Sequence, residues 1–170
     1  CDHDLVLTQA PDLPDLLLIP GAEFSTSYGH LLALFVSQPI EGGDFAELVS
    51  AIHAQGGLAV LAHPFQHSKD AWRLLPAVPL LDGVEVWNSR ANRKYSKANA
   101  MAKVFALKHN LRFFAGSDAH LPEEVGAGFV SVEAAALTLP AVKDALIRGP
   151  VQVFGRRSPA RYAAKSQWTK

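Results

Sequence analysis

Short apolar runs of strand length alternate along the chain with stretches whose apolar residues recur at helical spacing. That alternation predicts an α/β fold, a parallel sheet or barrel whose strands are joined by crossover helices. Leu16 to Ser25 and His30 to Val36 read as strands separated by a tight turn. Asp44 reads as a helix N-cap, with Glu47 three residues on completing a capping box. Phe45, Leu48, Val49 and Ile52 give that helix one apolar face, and Gly56 and Gly57 end it. Leu58 to Ala62 is a continuous apolar run, suited to a parallel strand covered on both faces, and it delivers His63-Pro64 at its C-terminal end. Val84 to Trp87 repeats the device and delivers Asn88. Tyr95, Ala98, Met101, Ala102 and Phe105 predict a helix over roughly residues 91 to 109. Phe113 to Ala115 is then a strand running into Gly-Ser-Asp-Ala-His. A strand at Phe129 to Val132 follows, then a helix opened by Thr138-Leu139-Pro140 and a last strand at Val151 to Phe154.

Composition narrows the class. With 170 residues, 49% of them hydrophobic, the chain is long enough to bury one core without staples. One domain over residues 1–155 and a basic tail over 156–170 is the expected organisation. A single cysteine excludes an internal disulfide and fits a reducing, cytoplasmic setting. Apolar runs stay well short of the roughly 20 residues that span a bilayer, so no membrane helix is expected. The chain opens on Cys1 rather than methionine, which reads as a processed chain or a piece of something longer. Net charge is zero, which gives no sign of a nucleic-acid partner. Its distribution is uneven: the first lysine or arginine is Lys69, whereas eight of the sixteen carboxylates precede residue 50.

The placement of histidines and acids carries the chemistry. His63, Asp118 and His120 each follow an apolar strand run, at the rim where parallel α/β architectures build their sites. Glu23 stands in the first strand region, flanked by Ala22 and Phe24, an apolar setting in which an unpaired carboxylate is costly. Asp118 and His120 are two apart, so extended backbone would point both side chains the same way. Imidazole and carboxylate form the mixed ligand set that zinc, manganese and iron accept, and such a site acidifies bound water to supply hydroxide without a serine or cysteine nucleophile.

Six motifs in order are similar to those of the PHP (polymerase and histidinol phosphatase) family, from residue 1 to about residue 155. They are Asp2-His3-Asp4, Pro20-Gly21-Ala22-Glu23, Gly29-His30-Leu31-Leu32, Ala62-His63-Pro64, Val84-Glu85-Val86-Trp87-Asn88 and Gly116-Ser117-Asp118-Ala119-His120. The resemblance implies a distorted (β/α)7 TIM-like barrel holding up to three divalent metals, hydrolysing phosphoesters through a metal-bridging hydroxide. Carried over by position, Glu23, His30 and His63 share one metal, His3 and His120 a second, and Asp118 binds the remaining metal alongside Glu23. Catalysis then falls to Asp118, His120 and His63. The family's opening His-X-His pair has no counterpart here, so the barrel would lack its first strand and one metal two ligands. Cys1 stands where the family usually has threonine.

Asn88, Arg90 and Arg93 are placed at the mouth, where the arginines would neutralise a substrate phosphate. Lys94 and Lys97 extend that cluster but read rather as a solvated helix face. His53, His67 and His109 read as surface histidines. Arg156, Arg157, Arg161, Lys165 and Lys170 form a solubilising tail around Trp168. The leading expectation is a metal-dependent phosphoesterase acting on a small phosphorylated metabolite or nucleotide. Two others stand beside it: an amide, ester or carbamate hydrolase using the same metals, and a non-catalytic remnant that binds one metal or none.

Overall fold

The computed structural model describes residues 2–6, 13, 15–93, 95–159 and 161–162; Cys1, Lys94, Lys165, Trp168 and Lys170 lie outside them. The fold is mixed α/β. Six strands form one sheet in the order β1 (Asp2–His3), β2 (Gly21–Thr26), β3 (Gly29–Leu34), β4 (Leu58–Leu61), β5 (Gly83–Asn88) and β6 (Arg112–Gly116). The helices are α1 (Phe45–Ala54), α2 (Ala98–Lys108) and α3 (Leu139–Arg148), and β7 (Gly128–Ser131) pairs antiparallel with β8 (Gln152–Gly155) as a separate ribbon.

Two expectations about this architecture are corrected. The sheet is not all-parallel, because β2 and β3 are joined by a two-residue turn with Gly29 at φ +114°. A tight turn of that kind allows only an antiparallel hairpin, since a parallel crossover needs a dozen or more residues. The strand β3 is also antiparallel to β4, while β4, β5 and β6 run parallel. Nor is a closed barrel present among the described residues: the sheet ends at β1 on one side and at β6 on the other.

Alternation along the strands separates two apolar layers. Leu31 and Ala33 of β3, Ala59 and Leu61 of β4, and Val84 and Val86 of β5 join the core that also holds α1 through Ile52 and α2 through Phe105. The opposite face presents Leu58, Val60 and Phe114, which pack with Leu146 of α3 and with Leu32 and Leu34. Helix α3 therefore packs on this face through Leu146, and Arg112 ties down its end by donating from Nε to the Leu146 carbonyl.

Local signals explain most element boundaries. The Asp44 side chain accepts from Glu47 N and the Glu47 carboxylate accepts from Asp44 N, which is the expected capping box. Leu16 to Pro20 is not strand: Leu16 is exposed, and only from Gly21 onward does the ladder with β3 begin. The helix expected from residue 91 starts at Ala98. Asn88 Oδ1 accepts from the N–H groups of Arg90 and Ala91, and Asn92 Oδ1 accepts from Asn99 N, so side chains satisfy donors that a continuous helix would claim. Beyond residue 155 the backbone still bonds to the domain, through Arg156 N to Ala127 O and Ser158 N to Ser89 O. No helix among the described residues is long and apolar enough to cross a membrane.

Gly83 marks the closest approach of β5 and β6. A Cβ there would strike the Phe114 ring and lie 2.8 Å from the Arg112 carbonyl oxygen, in the middle of the sheet where neither can move freely. Gly83→Ala is expected to lower the unfolding free energy by roughly 1–3 kcal/mol, read from urea denaturation, as overpacking of a filled core does.

Candidate metal centre

The pairing of three strands builds the centre. In the parallel β1–β2 ladder His3 stands beside Glu23, and in the hairpin Glu23 pairs with Leu32 while His30 pairs with Ser25, two positions along. Glu23 alternates with Ala22 and Phe24, which enter the helix-side core, so its carboxylate takes the opposite, inner face beside Leu32. His63 follows β4, with φ +27° and Ala62 N bonded to His30 O, which swings its ring toward the same spot.

The result is a carboxylate ringed by imidazoles. Glu23 Oε1 lies 2.8 Å from His30 Nδ1 and 3.2 Å from His63 Nε2, and its Oε2 lies 3.8 Å from His3 Nε2. The rings of His3 and His30, and of His30 and His63, meet edge to face at 5.1 and 5.0 Å. Ligand atoms of His3, Glu23 and His30 all lie within 4.8 Å of one another, the one such group of three among the described residues. Burial pushes the Glu23 carboxyl up, but hydrogen bonds from His30 and His63 outweigh it and hold the group well below the usual carboxylate range. Burial lowers His63, and its bond to Glu23 with the charges of Glu85 and Asp118 reverses this, so the imidazole sits above its ordinary value.

Asp118 and His120 lie on the loop after β6. Asp118 is at φ +49°, so the extended geometry expected for this pair is not what brings its members together. Instead the loop folds back: His120 Nδ1 lies 2.9 Å from the Asp118 carbonyl oxygen and 3.5 Å from its Oδ1, and His120 N donates to Glu124 Oε2. His120 thus groups with Asp118, whereas His3 groups with Glu23 and His30. Burial raises Asp118, and the neighbouring charges of His63 and His120 partly offset it.

The residues expected at the substrate mouth are placed differently. Asn88 is 1% exposed, with Nδ2 donating to Glu85 Oε2 and Oδ1 accepting from two backbone N–H groups, so it shapes the rim from beneath. Arg90 is buried against Glu124, Nε to Oε1 at 3.3 Å. The side chain of Arg93 is not among those described. His53 is exposed, as expected, and bonds Asp82 Oδ2 at 2.9 Å.

Sequence reasoning gave no role to Glu85, Asn99 or Glu124. Glu85 is buried beneath the centre, its Oε2 accepting from His63 N at 3.0 Å and from Asn88 Nδ2 at 3.1 Å. A register shift between Glu85 and Trp87 lets Glu85 and Asn88 share a face that an unbroken strand would deny to residues three apart. Gly116 leaves room for the carboxyl, since a Cβ there would strike Glu85 Oε1. The signal that points to this residue is an acid inside Val84-Glu85-Val86, a strand whose neighbours are apolar on both sides.

Burial pushes Glu85 up to about 7 from an ordinary 4.5. A carboxyl raised in the folded state contributes full stability below pH 4.5 and loses it as pH climbs through 7. Metal-free wild-type protein is therefore expected to lose up to about 3 kcal/mol relative to Glu85→Gln between pH 4.5 and 8. Urea midpoints across that range check it; parallel curves for the two proteins would show that Glu85 is ionised throughout.

With this geometry in place, the chain can be compared with known proteins. A family model described as PHP-associated matches residues 96–151, which span α2, β6, the Asp118 loop and most of α3. An uncharacterized protein of Methanocaldococcus jannaschii is 31% identical over 140 residues, covering 76% of this chain and 55% of that protein. A two-domain protein from Bacteroides vulgatus, described as containing a predicted PHP-like metal-dependent phosphoesterase, matches with a TM-score of 0.66 at 22% identity, over 83% of this chain and 45% of its own. PsfC from Pseudomonas syringae matches with a TM-score of 0.58 at 19% identity, over 88% of this chain and 64% of its own. At such identities these two structures speak for the fold alone. The chain spans about half the length of the M. jannaschii and B. vulgatus proteins. The matched model and the shared fold agree with the ordered motifs: the chain carries a PHP-associated segment over residues 96–151 and has the fold of a PHP-like protein.

Proposed function

We propose that this chain is a divalent-metal-dependent phosphoesterase acting on a small phosphorylated metabolite or nucleotide. The observation that carries the reading is the half-buried Glu23 carboxylate, with His3, His30 and His63 around it. That donor set fits zinc, manganese or iron, which accept imidazole nitrogen and carboxylate oxygen together. His3, Glu23, His30 and His63 would hold one metal, and Asp118 with His120 would extend the site along the same rim. When bound, such ions supply an acidified water and neutralise charge on a phosphoryl oxygen.

The chain's own residues organise that chemistry. Glu85 fixes the His63 backbone and Glu124 fixes that of His120, so two candidate ligands are positioned by buried acids rather than by solvent. With Nδ1 engaged by Asp118, the other ring nitrogen of His120 is the one left to act as a ligand. Arg90 lowers the charge cost of Asp118 from beside Glu124 and completes the buried wall of the site.

Protein purified without chelator is expected to carry at least one zinc, manganese or iron per chain by elemental analysis, and Glu23→Ala to lose most of it. Hydrolysis of a generic phosphomonoester or phosphodiester should appear with added manganese or zinc and vanish on chelation. Asp118→Ala should reduce it on the order of 100-fold or more. Unchanged metal content in Glu23→Ala would remove the basis for the reading. Turnover of an amide or carbamate in place of every phosphoester would transfer the site to the second hydrolase class.

A further inference from the structure

On the helix side of the sheet, across β5 from the metal centre, lies a second cavity of about 520 Å³. This is the size range of small-molecule pockets. Its floor is apolar, formed by Phe113, Val153 and the Trp87 ring, and Asn99 of α2 closes one side. Among the described lining residues Lys103 and Arg157 are the ionisable ones, and no carboxylate joins them. The Trp87 ring is held in place: its Nε1 donates to Ser89 Oγ at 3.3 Å, and Gly155 backs it so closely that a Cβ there would strike the indole. A fixed aromatic wall beside two cations is suited to a flat apolar group bearing an anion, at little cost in ordering the protein.

The cavity also has a short connection to the metal centre. The Asn99 amide spans both peptide groups of Asn88, Oδ1 accepting from Asn88 N at 3.1 Å and Nδ2 donating to Asn88 O at 3.0 Å. Asn88 bonds Glu85, and Glu85 accepts from His63 N. A path of Asn99, the Asn88 backbone, the Asn88 side chain and Glu85 thus runs from the cavity wall to the backbone of a candidate ligand, all three residues buried.

We propose that this cavity is a binding site for a small organic anion with a planar apolar body, and that its occupancy is felt at His63 through Asn99, Asn88 and Glu85. The bond hydrolysed at the metal centre does not enter this proposal, and metal-free protein tests it independently. Phenylphosphonate is the probe and methylphosphonate the anion without a ring, each titrated into ¹⁵N-labelled protein and into a parallel Glu23→Ala sample. Phenylphosphonate should shift the Trp87 indole and Asn99 side-chain resonances saturably in both samples and move the His63 backbone amide. Methylphosphonate should bind about tenfold more weakly, and Lys103→Glu, at an exposed position, should weaken phenylphosphonate about tenfold. The site is overturned if Trp87 does not shift up to the probe's solubility limit, if the two probes bind alike, or if the response survives Lys103→Glu. Saturation at Trp87 with a stationary His63 amide overturns the connection.

Discussion

A carboxylate placed on the inner face of a sheet cannot remain ionised unless its surroundings answer its charge, and the arrangement around Glu23 is governed by that requirement. Three strands or strand ends supply the answer. The parallel step from β1 to β2 brings His3 alongside, the hairpin turn at Gly29 brings His30, and the departure of the chain from β4 at positive φ brings His63. Moving any of these elements by one residue would turn its histidine to the helix-side core and leave Glu23 buried with fewer partners. Register in this half of the sheet is thus set by charge on one face and by Ala22, Phe24, Leu31 and Ala33 on the other.

The inner face carries an apolar and a polar set of side chains. Leu58, Val60 and Phe114 pack with Leu146 of α3, while Glu23, His63 and Glu85 are joined by hydrogen bonds. The parallel strands β4, β5 and β6 point their C-terminal ends to one rim, where His63 and Asn88 lie. A helix packed on the apolar set keeps water from it. Gly83 and Gly116 occupy matching roles in the two sets, the first making room for the Phe114 ring and the second for the Glu85 carboxyl.

Much of this could be read from the sequence, and what could not has identifiable causes. The capping box at Asp44 and Glu47, the strands delivering His63 and Asn88, and the loop carrying Asp118 and His120 are local features, fixed by residues near one another in the chain. Alternation of strands and helices leaves a parallel sheet and a barrel both open, and the distorted barrel is what the family resemblance implies; alternation does not report which strands become neighbours, and the two-residue turn between β2 and β3 already forbids a parallel pair there. Glu85 escaped assignment because one acid among valines has the pattern of a half-exposed strand. Its burial depends on Gly116 and on the irregularity before Trp87, neither of which has a local signature. Asn99 and Glu124 act over 11 and 4 residues respectively, through side-chain bonds to backbone that periodicity cannot register.

The charge balance at the rim argues for a cation more strongly than any single ligand does. Glu23, Glu85 and Asp118 all face His63, and the nearby guanidinium, that of Arg90, is shared with the buried Glu124. The protein compensates in two ways: it draws protons onto His63, and it makes Glu85 and Asp118 reluctant to ionise. Both adjustments are what a site does when carboxylates outnumber fixed cations, and both would relax if a divalent ion replaced the protons among the imidazoles. Metal binding would displace those protons, which would tie affinity at this centre to pH through His63 and its carboxylate neighbours. The acids that distort their own ionisation in the protein alone are the same groups that position the candidate ligands, so the cost of burying them is tied to the function the site supports.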